Sequence, residues 1–411
     1  MNADLGTKGS SYRELPTFLQ RLVTSNPGTV LSLETEFQEG VGQRFKYLFF
    51  FLGACLNGLN YIRQVIVVDG THLKGKYARC LLTASYQDGN YQLYPIAFAI
   101  VEGENDKSCT WFFHKLMELI PDKSTLVFVS YRHNSIYTDM RKITQLNYVY
   151  PLSGHCVCIV HLTCNIQTIF KKKNLGYLVS KAARAYTPIE FYGLFSKIRA
   201  LDRAYGEYLT NIGNKNWARS HFPGARYNIM TTRGGRREAA AATSTSLTPT
   251  AEEFLSENFE QSTGFVYQKI NDDEFEIRNK EGEPFLVNLK KKTCTCHEFE
   301  MLDLPCSHAV VTAMRSGKRV DSFVGLEYTT AFWRKAYECS IYSINSGTVY
   351  KTPPGRPRKK RFPSRWGVRG VGFDYRGRDH GETAVSPGQT KHNCGWPPLG
   401  RGHRARVDCS T

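Results

Sequence analysis

Apolar positions in this chain follow two spacings, and they change from one to the other near residue 175. Before it, Val65 to Val68 is an unbroken β-branched run that predicts a buried central strand, and Asp69-Gly70 follows it directly. The runs 81–86 and 91–100 flank Gln87-Asp88-Gly89-Asn90, whose Asp-Gly pair predicts a hairpin turn. Trp111, Phe112, Leu116 and Leu119 fall on one side of a helix predicted over 106–120 and ended by Pro121. Leu126 to Val129 reads as another buried strand, and Cys156 to Val160 as a further one. This alternation predicts an α/β or α+β domain, a mixed sheet flanked by helices.

Beyond residue 175 the period becomes helical. Thr187-Pro188 with Glu190 supplies an N-cap, a first-position proline and a capping-box acid. Phe191, Phe195, Ile198, Leu201, Tyr205 and Tyr208 then continue as a core stripe. Residues 233–248 carry Gly, Arg, Ala, Ser and Thr without an apolar period, which marks a linker. A small β-rich unit follows, and residues 346–411 are Gly, Pro and Arg rich, the composition of a disordered tail. The expected divisions are an N-terminal helical segment 1–60, a mixed domain with a helical part 61–232, the linker 233–248, a small unit 249–345 and the tail 346–411.

Composition sharpens this picture. The chain has 411 residues, 54 Lys and Arg against 37 Asp and Glu, and a net charge of +17. Residues 351–411 hold 14 basic and 4 acidic residues, so the tail carries +10 of that excess. A polyanionic partner is expected. The longest apolar run, Tyr47 to Leu56, is about half the length of a bilayer-spanning helix, and the N-terminus lacks a secretory pattern, so no membrane association is expected. Twelve cysteines are too sparse for a disulfide scaffold, and several are bunched near histidines, which points to metal.

The sharpest motif is Cys294-x-Cys296, nine residues, then Cys306-x-His308. Three thiolates and an imidazole form the ligand set of a closed tetrahedral zinc site. Phe285 to Leu289 alternates as a strand leading to the first pair, and Pro305 precedes a short helix that carries the second and ends at Gly317. His297 is a substitute ligand by type, but its adjacency to Cys296 turns it the other way. Four protein ligands leave no open position, so the zinc is expected to be structural, and a unit this small would depend on it to fold.

The Cys-x-Cys, Cys-x-His pattern resembles the SWIM-type zinc finger. With residues 67–77, the hairpin, residues 103–116 and 227–232, the chain resembles plant Mutator-like (MuDR family) transposases. The resemblance implies a ribonuclease-H-like fold in which two Asp and one Glu hold two Mg²⁺ ions for strand cleavage and transfer. Asp69 matches the first of these. At the second, where the family reads Ser-Asp-Arg, this chain has Ser130-Tyr131-Arg132, and a neutral phenol does not replace a carboxylate on Mg²⁺. Asp139 lies eight residues further on, and the third acid is not found, Glu238 standing at the wrong spacing. The resemblance also covers Cys158-x-x-His161, whose role is open; with His155 and Cys156 it reads as a metal site or as buried cysteines beside a capping histidine. The family's N-terminal zinc-binding recognition region and its C-terminal zinc knuckle have no full counterpart, His392 and Cys394 being too few ligands. Asp69 is therefore expected to be vestigial.

Finally, Arg356-Pro357-Arg358-Lys359-Lys360-Arg361 resembles an AT-hook, an extended segment for the minor groove of A·T-rich DNA, and would also serve as a nuclear localisation run. The expectation is a nuclear, transposon-derived protein that binds zinc and DNA, A·T-rich or non-specific, without transposase activity. The alternatives are an active Mg²⁺-dependent transposase, a SWIM module that binds protein, and a decayed element without a cellular role.

Overall fold

Val65–His72 forms β3 and lies inside a seven-stranded sheet, which explains its unbroken apolar run. In the computed structural model the strands are β1 (Val30–Gln38), β2 (Gly42–Phe51), β3, β4 (Cys80–Gln87), β5 (Leu93–Val101), β6 (Val127–Ser130) and β7 (Gly154–Val157). Their order is β1-β2-β5-β4-β3-β6-β7. Residues 10–40, 42–73, 79–130, 146, 148–170, 175–224 and 243–343 are described, with two short strands at 394–395 and 406–407. Strands β3, β4 and β5 are antiparallel, and β6 and β7 run parallel to β3. The result is a mixed parallel and antiparallel sheet of the expected α/β class.

The N-terminal region corrects the expected helical segment 1–60. Among its described residues only Ser10–Ser25 (α1) and the short Gly53–Gly58 (α2) are α-helical, and Val30–Gln38 and Gly42–Phe51 pair as antiparallel strands. The aromatic run Tyr47 to Phe51 pairs with β1 on one side, and its last four positions, 48–51, pair with β5 on the other, so that stretch is an interior strand with apolar side chains on both faces.

Helix α3 (Asp106–Met117) covers one face of the sheet, capped by Asn105, whose side chain accepts the Ser108 N–H at 3.0 Å. Phe112 and Leu116 pack there against Phe49, Val68 and Phe128. Each such ring removed from water contributes roughly 2 to 3 kcal/mol. The other face is covered by α4 (Ile159–Phe170). The last predicted strand therefore ends earlier than expected, at Val157, and Ile159 and Val160 already belong to this helix.

Helices α4, α5 (Leu175–Arg184), α6 (Pro188–Leu201) and α7 (Arg203–Ile212) enclose a second core around Trp217. Thr187 accepts the Glu190 N–H at 3.1 Å, and the Glu190 carboxylate reaches back to the Tyr186 N–H at 3.0 Å. The predicted stripe is broken after Leu201, which is exposed. Asp202 leaves helical geometry there and caps α7 through the Tyr205 N–H.

The remaining unit has a small sheet, β11-β10-β9-β8, from β8 (Val266–Lys269), β9 (Glu274–Arg278), β10 (Pro284–Asn288) and β11 (Thr293–Cys294). Helices α8 (Pro249–Ser262), α9 (Glu298–Leu302), α10 (Ser307–Arg315) and α11 (Thr330–Ala336) complete it. It is not a separate bead. Leu302, Leu304, Val324 and Tyr328 share a core with Leu247 and Ala251, against which Tyr91 of the large sheet and Tyr186 of the helical part pack. The last residues of the expected linker belong to this joint, since Thr248 is buried and donates its hydroxyl to the Gly89 carbonyl at 2.9 Å. Among the described residues no helix is long and apolar enough to cross a membrane.

Candidate metal centre and the Asp69 cleft

Strand β10 pairs with β11 through Val287 and Cys294, which fixes the first cysteine at a strand end. Cys306 is the N-cap residue of α10, so His308 stands in that helix's first turn. The ligand atoms of Cys294, Cys296, Cys306 and His308 all lie within 4.8 Å of one another. His308 Nδ1 is 3.7 Å from Cys294 Sγ and 3.8 Å from Cys306 Sγ. A tetrahedral zinc with ordinary bond lengths would separate sulfur from nitrogen by about 3.6 Å. The donor set and its spacing fit one such ion.

Packing holds the histidine in place. Its ring is stacked on Phe285 with 3.9 Å between centroids, and on Phe265 at 5.3 Å. His297 is not part of the cluster: its backbone is left-handed at φ 63°, and its Nδ1 lies 2.8 Å from Glu300. The other Glu300 oxygen accepts the Cys294 N–H at 3.0 Å, so this acid orients the first ligand's backbone. Hydrogen bonds from the Cys296 and Cys306 thiols lower the Cys294 pKa to about 5, against the opposing effect of burial. Protons compete with metal for all four donors, so metal should be retained at neutral pH and released on acidification. A chromogenic zinc indicator followed through an acid titration measures this; full retention at pH 4 would contradict a site of three thiolates and an imidazole.

A second group of titratable side chains sits at the C-terminal ends of the parallel strands. Asp69 follows Val68, which pairs with Ser130 at the end of β6, and Ser130 pairs in turn with Val157 of β7. The Asp69 carboxylate accepts the Gly70 N–H at 3.0 Å. Burial raises its pKa, with the His161 charge acting against that rise.

Residues 65–165 match the family model of the MULE transposase domain, and residues 285–316 match that of the SWIM zinc finger. The chain joins a MULE transposase domain to a SWIM zinc finger. No curated protein matches the sequence. The MULE match ends just past Cys158, which precedes α4, and His161, in its first turn and near enough to act electrostatically on Asp69. Burial works against ionisation of both, yet each favours the charged form of the other: the Cys158 pKa is lowered, and that of His161 is held up at about 9. His155, set beside them in the sequence, turns instead to Ser130 Oγ at 3.1 Å, and burial lowers its pKa to about 4. Cys156 packs with Val65, Val67 and Val129 in the apolar layer beneath the cleft.

Sequence reasoning missed Glu104 in the MULE domain. It stands in the loop before α3, near enough to act electrostatically on both Asp69 and His161. One of its oxygens lies 3.6 Å from Cys80 Sγ, and the other is buried. Its only signal was its place two residues before an N-terminal helix turn, which carries no chemical meaning by itself. Tyr131, Asp139 and Glu238, the residues on which the second and third acids were judged, lie outside the described residues, as do Arg356, Pro357, Arg358, Lys359, Lys360, Arg361 and His392.

Proposed function

We propose that this protein is a nuclear, DNA-binding derivative of a Mutator-like transposase that holds one structural zinc and no longer cuts DNA. The observation that carries the reading is the Asp69 strand end. The chain places Ser130 level with Val68, and the next residue, at the family's second acid, is Tyr131. Without that carboxylate the cleft lacks one of the hard oxygen donors that two Mg²⁺ ions require. Asp69 is on this account vestigial, and the zinc held by Cys294, Cys296, Cys306 and His308 supports the fold without touching substrate.

Affinity for DNA is supplied by the basic tail, through Arg356, Pro357, Arg358, Lys359, Lys360 and Arg361, and is non-specific or biased to A·T-rich sequence. Binding measured by fluorescence anisotropy should weaken on the order of a thousandfold between 50 and 200 mM salt if six or more phosphates are contacted. Deleting residues 351–361, which hold six of the cations, should flatten that dependence. Affinity indifferent to both salt and deletion would overturn the reading.

Glu104 favours one second reading, a working Mg²⁺-dependent transferase, because it gives Asp69 an acidic neighbour. Strand cleavage of a terminal-repeat substrate in Mg²⁺ or Mn²⁺, lost in both Asp69→Ala and Glu104→Gln, would establish it. The absence of any product from the intact chain would leave the binding role standing.

A further inference from the structure

The tip of the β4–β5 hairpin has the sequence of a solvent-facing turn, yet it is bonded to the zinc unit through several residues. Asp88 is 1% exposed. Its Oδ1 accepts the N–H groups of Asn90 and Gln92, at 3.0 and 2.7 Å, which closes the turn. Its Oδ2 faces the other way and accepts Trp333 Nε1–H and the Tyr337 hydroxyl, both at 2.7 Å and both from the region of α11. Arg63, fully buried, donates to the Asp88 carbonyl at 2.9 Å and lies between the rings of Tyr91 and Tyr328, 4.3 and 4.6 Å from their centroids.

From Tyr328 the contacts run to the metal. The Tyr328 hydroxyl donates to the Leu302 carbonyl at 2.6 Å, and Leu302 ends α9, the helix within the nine-residue gap between Cys296 and Cys306. The same gap touches the helical part, where the Tyr186 hydroxyl donates to Glu298 at 2.9 Å and the Arg219 guanidinium lies 3.6 Å above the Tyr186 ring. In the other direction, the Arg63 carbonyl accepts the Val65 N–H at 2.8 Å, so this joint begins the strand that carries Asp69.

We propose that the loop between the zinc ligands is an internal brace, through which metal binding fixes the β4–β5 hairpin and the start of β3. The SWIM finger then acts on its own MULE domain rather than as a free module for a partner on this face. Zinc loss at the finger thereby loosens the base of the Asp69 strand, a metal-sensitive coupling built into the fold. Because coupling is reciprocal, damage at Asp88 must weaken zinc binding by the factor through which zinc steadies the hairpin.

The test uses the full chain. Hydrogen exchange should rise at least about tenfold in peptides covering 61–68 and 86–92 when a chelator removes zinc, while 44–51 in the outer strands keeps its protection. Asp88→Asn keeps the acceptor for the turn but sets an amide NH₂ against two donors, and its zinc affinity, read by competition with a chelator of known affinity, should fall about tenfold. Tyr337→Phe, which removes one hydroxyl, serves if Asp88→Asn does not fold and should shift affinity the same way by a smaller factor. Unchanged hairpin exchange on zinc removal, exchange that rises equally throughout the chain, or zinc affinities identical to the parent would overturn the brace.

Discussion

Replacing Cys306 by serine should reduce bound zinc from one ion per chain to none and unfold the unit around residues 265–324. Cys306 has no exposed surface and is the residue at which α10 begins, so it holds both the ligand geometry and the helix start. The core behind it is small, built on Phe275, Ile277, Val287, Leu289, Phe299 and Ala309 with the ligand cysteines themselves as members. Structural zinc contributes roughly 10 to 16 kcal/mol in peptides of this kind, more than such a core supplies alone. Elemental analysis gives the metal content, and limited proteolysis should cut within 265–324 in the variant at protease levels that spare the parent. A variant that keeps its zinc, or loses it without new cleavage there, would contradict the assignment.

Gly89→Ala should destabilise the protein by about 3 kcal/mol, at the upper end of what overpacking causes. A Cβ at residue 89 would lie 1.8 Å from the Glu327 carbonyl oxygen and 2.9 Å from its carbon, both backbone atoms that no rotamer change can move. The hairpin must then separate from the 325–328 turn, and the Thr248 to Gly89 bond goes with it. Gly193→Ala is the matched control. It lies inside α6 with nothing within 4 Å of the added methyl, and should stabilise by about 0.5 to 1 kcal/mol. Urea unfolding of the two variants beside the parent reads both effects. Equal stabilities would mean that the close approach of the two backbones does not exist in solution.

These two sites mark where the sequence was readable and where it was not. Val65 to Val68, the β4–β5 hairpin, α3 and the Thr187 cap were legible because each depends on residues within a few positions of one another. The zinc ligands were legible for the same reason, as two close pairs whose residue types have few other uses. The β1–β2 hairpin was missed because Tyr47 to Phe51 lies in a continuous apolar run, which does not separate an interior strand from a helix. Asp88 was read as a turn former, which it is through Oδ1. Its second oxygen answers residues 245 and 249 positions away, and local patterning carries no trace of them. Glu104 was passed over for a related reason, since only the sheet brings its loop beside Asp69.

Much of the joint between the two units is written in main-chain atoms. The Gly89 carbonyl accepts the Thr248 hydroxyl across it, the carbonyls of Asp88, Leu302 and Tyr328 accept bonds on either side of it, and a glycine gives the passage the two backbones need. Carbonyls are the same whatever amino acid bears them. A joint built this way tolerates exchange of the side chains around it while its backbone contacts stay in place.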